Sequence, residues 1–349
     1  MYTSVVEDAP ERPTLRQFLE AMGQEHAPER RLGKYRIVRE IAGGGMATVY
    51  EAHDPELRRA VALKVLAADA PGRRSIDRLQ REASIAAKLK HPNIVSIHEV
   101  GTIDGTTHYI AMDLVSGKTL AEHLPSLTRD ERLAIFDTLA QAVAYAHGRG
   151  VIHRDLKPQN VLLEPSPAGA AEPWRVYLTD FGLARDEESD DLTKTGAVMG
   201  TPHYMAPEQV CGHKREMGPW TDAWALGVIL YQMLCDRVPF AGETVMEVYD
   251  GIVRHDPEPP RHATGTVPPD LATICTKALS KDIVRRYPSA AELSEDVRRY
   301  RRGEPILARP TTLASRIGRR IRRHPAGLVA VRAILLVVAA AVAATASIT

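Results

Sequence analysis

Four side chains in this sequence are spaced in a way that suits chemistry on phosphate. The run Val151-Ile-His-Arg-Asp-Leu-Lys-Pro-Gln-Asn160 supplies Asp155, then Lys157, then Asn160. The next predicted strand ends in Leu178-Thr-Asp-Phe-Gly182, which adds Asp180. A carboxylate within hydrogen-bond reach of a hydroxyl can accept or orient its proton. A neighbouring lysine can neutralise charge building on a phosphoryl group, and Asn and Asp oxygens are the hard donors that magnesium prefers. Together they are the parts of a phosphoryl transfer.

The elements that must position these residues are legible on either side of them. Strand patterns cover residues 35–41, 47–53, 60–66, 94–100 and 108–114, with a helix at 75–89. Residues 128–147 predict a long helix. Thr128 and Glu131 have capping-box spacing, Leu133, Phe136, Ala140 and Val143 recur on one face, and Gly148 and Gly150 end it. Residues 221–235 are apolar on nearly every side, the mark of a buried helix. The Pro/Ala/Gly stretch 165–173 predicts a surface loop between two short strands. Strands with one helix, then a mainly helical remainder, predict an α+β chain with two lobes of different character.

Two further motifs precede the catalytic run. Ile41-Ala-Gly-Gly-Gly-Met-Ala-Thr-Val-Tyr50 lies between two predicted strands, and glycines there let the backbone approach phosphate oxygens. In Val61-Ala-Leu-Lys-Val-Leu66, alternation puts Ala62, Lys64 and Leu66 on one face. Glu82 shares a helical stripe with Leu79, Ile85, Ala86 and Leu89, so its carboxylate faces inward and needs a partner.

With these motifs in this order, the chain resembles the bacterial, eukaryotic-like serine/threonine protein kinases from about residue 34 to about residue 302. The resemblance implies a two-lobed protein-kinase-like fold. A small antiparallel-sheet N-lobe with one main helix would span about 34–112, and a larger, mainly helical C-lobe about 116–302. It implies ATP with magnesium, or manganese in its place. Lys64, paired with Glu82, would hold the α- and β-phosphates. Ile41, Gly43, Gly44, Gly45, Val49, Ala62 and Leu162 would line the nucleotide, with Met112 behind the adenine and backbone groups of Asp113 and Val115 bonded to it. Asp155 would orient the substrate hydroxyl, Lys157 would face the γ-phosphate, and Asn160 and Asp180 would hold the metal. His153 would brace the loop. Aligned on Val49, the family pattern G-x-G-x-x-G-x-V reads Ala42, Gly44 and Ala47 at its glycines, so two of the three are alanine.

Lys157 and the run Gly200-Thr-Pro-His-Tyr-Met-Ala-Pro-Glu208 resemble the serine/threonine class rather than the tyrosine class. The intervening polar segment carries Ser189, Thr193, Thr195 and Thr201. Arg154 is the residue type that pairs with a phosphothreonine, which implies activation by autophosphorylation between two copies of the chain. Glu208 would pair with Arg286, although Ile283 replaces the usual proline nearby, and Asp222, Trp224 and Gly227 would begin the central buried helix.

Composition sets the outer bounds. In 349 residues, 44% hydrophobic and 26% charged with net charge +1, a sizeable core is available and a dedicated nucleic-acid binder is not indicated. Cys211, Cys235 and Cys275 have neither metal-ligand spacing nor disulfide density, which suits a reducing cytosol. No secretory signal is read at the N-terminus, and residues 1–33 read as an extension. Between Arg298 and Arg323 there are ten arginines and one acid, Glu304. Residues 303–325 read as a basic juxtamembrane linker and 326–349 as a transmembrane helix, of which about 22 residues at 1.5 Å each would span roughly 33 Å. Arg332 lies near its N-terminal edge, where a long side chain can reach the headgroups. The upstream arginines place the preceding chain in the cytoplasm by the positive-inside rule. Two rival readings are a catalytically silent nucleotide-binding scaffold, suggested by Ala42 and Ala47, and a membrane-surface or nucleic-acid binder centred on the arginines.

Overall fold

The computed structural model describes residues 30–43, 47–66, 87–105, 107–181, 202–261 and 265–308. These fall into two compact units, one up to Ser116 and one from Gly117 onward. The first is an antiparallel sheet and the second is mainly helical, the α+β pair that the sequence predicts.

In the first unit, β1 (Arg31–Leu32), β2 (Tyr35–Gly43), β3 (Ala47–Asp54), β4 (Arg59–Leu66), β5 (Ile97–Ile103) and β6 (Thr107–Asp113) form one sheet in the order β1-β2-β3-β4-β6-β5. The period of two sorts its faces. Val61, Leu63 and Val65 of β4 are buried with Tyr35, Tyr50, Ala52, Tyr109 and Ala111, so Ala62 and Lys64 lie on the opposite face. A polar cluster fastens the edge of this core. The hydroxyls of Tyr35 and Tyr109 donate to Glu99 at 2.8 and 2.6 Å, and Lys34 pairs with it at 2.7 Å. Burial pushes the Glu99 carboxyl up, yet the donors from Lys34, Tyr109 and Tyr35 outweigh it and bring it down to about 2.

One expectation needs adjustment here. The strand placed at 94–100 runs instead from Ile97 to Ile103. Ile94 and Val95 are buried in a turn that begins at His91, where the Ile94 N–H bonds the His91 carbonyl at 3.1 Å. Buried loop residues carry the same apolar signal as a strand, which is why the sequence misplaces it. The helix expected at 75–89 lies outside the described residues up to 86.

The second unit begins with a three-stranded sheet in which β8 (Val161–Pro165) lies between β7 (Lys118–Thr119) and β9 (Trp174–Leu178). The Pro/Ala/Gly stretch is the loop joining β8 to β9, as expected. The helices are α1 (Leu120–His123), α2 (Arg129–His147), α3 (Pro207–Val210), α4 (Pro219–Cys235), α5 (Val245–Arg254), α6 (Pro269–Ala278) and α7 (Ala290–Arg301). Thr128 caps α2 as the sequence predicts, accepting from the Glu131 N–H at 3.3 Å while Glu131 accepts from the Thr128 N–H at 2.9 Å. Caps of this kind contribute about 1 kcal/mol. Gly150, at φ +73°, turns the chain after it into the catalytic run.

Helix α4 is the core of this unit, with Trp224, Leu226, Val228, Ile229 and Leu230 fully buried. Gly227 is what lets α6 approach, since a Cβ there would stand 2.7 Å from the Ala278 methyl. One buried ion pair joins distant segments. Arg286 meets Glu208 through two parallel bonds of 2.9 and 3.2 Å, and Thr221 donates to the same carboxylate at 2.8 Å. Every partner is needed, because stranding one of two buried charges costs about 3–5 kcal/mol.

Helix α7 corrects the picture of a single basic tract. Arg298, Arg299, Arg301 and Arg302 belong to it or cap it, and they pair with Glu295, Glu172 and Glu304 at 3.0–3.3 Å. The chain then stays attached past residue 302. Asp296, fully buried, accepts from the Tyr287 hydroxyl at 2.7 Å, from the Ala308 N–H at 2.9 Å and from the Leu307 N–H.

Candidate active site

The catalytic run lies between α2 and β8, and two buried side chains hold it. Asp222, near the start of α4 and 1% exposed, bonds the backbone N–H of His153 at 2.7 Å and of Arg154 at 2.8 Å. His147, the last residue of α2, meets the same carboxylate through Nε2 at 2.8 Å. Charge-assisted bonds of this length are stronger than neutral ones and rigidify what they hold. Arg154 itself sits at φ +64°. That conformation disfavours residues bearing a Cβ, so it persists only where surrounding bonds demand it.

His153 supplies the second anchorage. It is fully buried, its Nδ1 receives the Asp155 N–H at 3.3 Å, and its Nε2 lies 3.0 Å from the Thr179 carbonyl. A ring that accepts at Nδ1 must donate at Nε2, which is the neutral form with its proton on Nε2. Burial lowers its pKa, against the pull of Asp222 and Asp155. The ring also packs on Phe181, with centroids 4.7 Å apart. The histidine is a brace, as the sequence suggests.

Asp155, Lys157 and Asn160 come together as the spacing predicts. Lys157 Nζ lies 2.8 Å from Asp155 Oδ2. Asn160 Nδ2 donates to the Asp155 carbonyl at 2.8 Å and to its Oδ2 at 3.3 Å. The amide nitrogen is thus turned inward, which presents Oδ1 as the hard oxygen a cation would bind. Asp180 follows β9 at φ +60°. The residue before it, Thr179, donates its N–H to the Asn160 carbonyl at 3.0 Å, so strand and loop are stitched together at the point where the second carboxylate emerges. Leu162 is half-buried in β8.

The remaining expected residues belong to the first unit. Val49 pairs directly with Lys64 across β3 and β4, and Ala62 pairs with Met112 across β4 and β6. Direct partners share a face, so Val49, Ala62, Lys64 and Met112 form one surface. Ile41 is exposed, and Gly43 ends β2 opposite Thr48. Asp113 donates its N–H to the Ser96 carbonyl at 3.0 Å, so its carbonyl is the backbone group it can offer a base. Val115 lies just beyond β6. Glu82, Gly44, Gly45 and the segment with Ser189, Thr193, Thr195 and Thr201 lie outside the described residues. Among the described residues no three His, Cys, Asp or Glu side chains cluster to hold a metal. Magnesium bound beside phosphates needs only one or two protein oxygens, and Asn160 with Asp180 fits that demand.

Residues 35–297 match the family described as the protein kinase domain. The chain belongs to the protein kinase family. It is 37% identical over 270 residues to the serine/threonine-protein kinase PrkC of Bacillus subtilis, covering 76% of this chain and 40% of PrkC. It is 35% identical over 313 residues to PknA of Mycobacterium tuberculosis, covering 84% of this chain and 70% of PknA. The crystal structure of the Mycobacterium tuberculosis PknI kinase domain superposes with a TM-score of 0.58 at 28% identity, covering 78% of this chain and 99% of that one. The chain therefore spans well under half the length of PrkC.

Sequence reasoning placed Asp222 only as the start of a helix. Its hold on the kinase loop, and the part of His147, escaped notice because they join positions far apart in the chain. A titration reads the brace. Because His153 is held neutral below its reference value of 6.5, the folded state binds fewer protons than the unfolded one in acid. Stability is then full above about pH 6.5 and declines as pH falls below it. Denaturant titrations should show this decline for the wild type and a shallower one for His153→Phe. Parallel pH dependences would contradict the assignment.

Proposed function

We propose that this kinase transfers the γ-phosphate of ATP to serine and threonine hydroxyls of proteins. The observation that carries the reading is the grouping of Asp155, Lys157 and Asn160 on a loop whose backbone is fixed by Asp222. Asp155 orients the incoming hydroxyl and receives its proton. Lys157, 2.8 Å from Asp155, offsets charge on the phosphoryl oxygens as the bond to ADP breaks. Asn160 and Asp180 would hold magnesium, or manganese, which supplies charge neutralisation at the β- and γ-phosphates when bound. Lys64, on a surface with Val49, Ala62 and Met112, would serve the α- and β-phosphates of the same nucleotide, with Glu82 as its partner. Ile41, Gly43, Gly44, Gly45, Asp113, Val115 and Leu162 would contact the rest of ATP. The names of PrkC and PknA as serine/threonine-protein kinases support the choice of hydroxyl, and so does Lys157.

Regulation follows the same chemistry. Thr193 or Thr195 would be phosphorylated by a second copy of the chain, with Arg154 receiving the phosphate. Incubation with labelled ATP and magnesium should put label on protein serines and threonines and on Thr193 or Thr195. Asp155→Asn should lower the rate by about 10²–10⁴-fold. A folded wild type that transfers nothing, or a variant that matches it, would defeat the proposal.

The kinase domain, taken as 34–302, would be carried on the cytoplasmic side of a membrane by a helix at 326–349, joined through the basic linker 303–325 and preceded by the extension 1–33. The support is the abutment of Arg316, Arg319, Arg320, Arg322 and Arg323 with the apolar run, and both lie outside the described residues. Among the described residues no helix is long and apolar enough to cross a membrane. The 349-residue chain should stay with vesicles after a high-salt wash, whereas a chain ending at Ala308 should not. Release of the full chain by salt would point to surface binding through the arginines instead.

A further inference from the structure

The residue before Asp155 is held at both of its backbone groups. The Arg154 N–H goes to Asp222 at 2.8 Å. The Arg154 carbonyl accepts from Gln209 Nε2 at 2.9 Å. At its other end the same amide accepts, through Oε1, from the Ala206 N–H at 3.0 Å. The amide's orientation follows from its partners, because a carbonyl can only accept and a backbone N–H can only donate.

A comparison within the chain shows what an amide does here that a carboxylate could not. Gln209 is the third residue of α3, and its Oε1 receives the N–H of the residue that caps that helix. Glu122 holds the same position in α1 and Glu131 in α2, each receiving its own cap N–H at 2.8 and 2.9 Å. A glutamate would satisfy the cap of α3 equally well. It would have no proton for Arg154, and would set a carboxylate oxygen against a carbonyl oxygen. The use of glutamine at this one position is explained by the second bond.

We propose that Gln209 is a positioning residue for the phosphoryl transfer. It ties α3 to the catalytic loop and holds Arg154 in its left-handed conformation, from which Asp155 projects. Helix α3 follows closely on Pro202, where the described chain resumes. The inference rests on the kinase reading above, and it also has a consequence that needs no turnover.

Gln209→Glu keeps the helix cap, removes the donor and opposes a carboxylate oxygen to the Arg154 carbonyl. In peptide transfer it should lower kcat about tenfold, with KM for ATP within about twofold of wild type. Gln209→Ala, which removes both ends of the amide, should lower kcat at least as far. Introducing Arg154→Gly, which lets the backbone reach positive φ without strain, should shrink the effect of Gln209→Glu to less than about threefold. Independently of ATP, amide hydrogen exchange at Arg154 and Asp155 should speed up about tenfold or more in Gln209→Glu. If the wild type transfers no phosphate while that exchange still accelerates, the proposed function fails and the tether stands. Unchanged exchange, or a kcat loss from Gln209→Glu of the same size with and without Arg154→Gly, would overturn the role of Gln209.

Discussion

A buried carboxylate must find donors, and Asp222 finds three: the His147 ring and two consecutive backbone N–H groups at His153 and Arg154. The requirement runs in both directions. Asp222 is tolerated inside the second unit because the loop satisfies it, and the loop is fixed because Asp222 cannot be left unsatisfied. Everything chemical in that unit hangs from this mutual demand. Asp155 follows the two tethered amides, Lys157 and Asn160 converge on Asp155, and Asn160 binds Thr179, which sets Asp180 in place.

The surroundings are arranged so that α4 can carry such a group. Its flanks are apolar and tightly packed, with Gly227 admitting α6 and Trp224 stacked on Phe240 at 5.9 Å. The Glu208–Arg286 pair closes the far side, with Thr221 from the first turn of α4 joining its hydrogen bonds. Asp222 is therefore presented by a helix that has little freedom to shift. In the first unit the same division of labour takes another form. One face of the sheet is given to tyrosines and branched aliphatics, and the other is kept small around Lys64 by Val49 and Ala62.

Short-range chemistry was legible in the sequence, and long-range hydrogen bonding was not. Asp155, Lys157 and Asn160 are near neighbours in the chain, so spacing alone brings them together. The cap of α2 and the burial of α4 follow from patterns only a few residues long. Pairing Glu208 with Arg286 could be expected only through family resemblance, because nothing local in either residue names its partner. Gln209 and His147 carried no local signal, since a glutamine in a first helical turn and a histidine at a helix end are ordinary on their own. The arginines misled in a different way. Composition counts charges without their partners, and those on α7 turn out to face Glu295, Glu172 and Glu304.

If Asp222 orders the loop for chemistry rather than for binding ATP, the chemical step must depend on its two oxygens. Single-turnover phosphate transfer by Asp222→Asn, compared with wild type at saturating ATP and magnesium, measures this most directly. An asparagine of the same shape offers only one accepting oxygen to donors that occupied two. The chemical step should slow by roughly 10²-fold with nearly unchanged ATP affinity. An Asp222→Asn enzyme that turns over at the wild-type rate, or one that loses ATP binding in proportion to its rate, would contradict it.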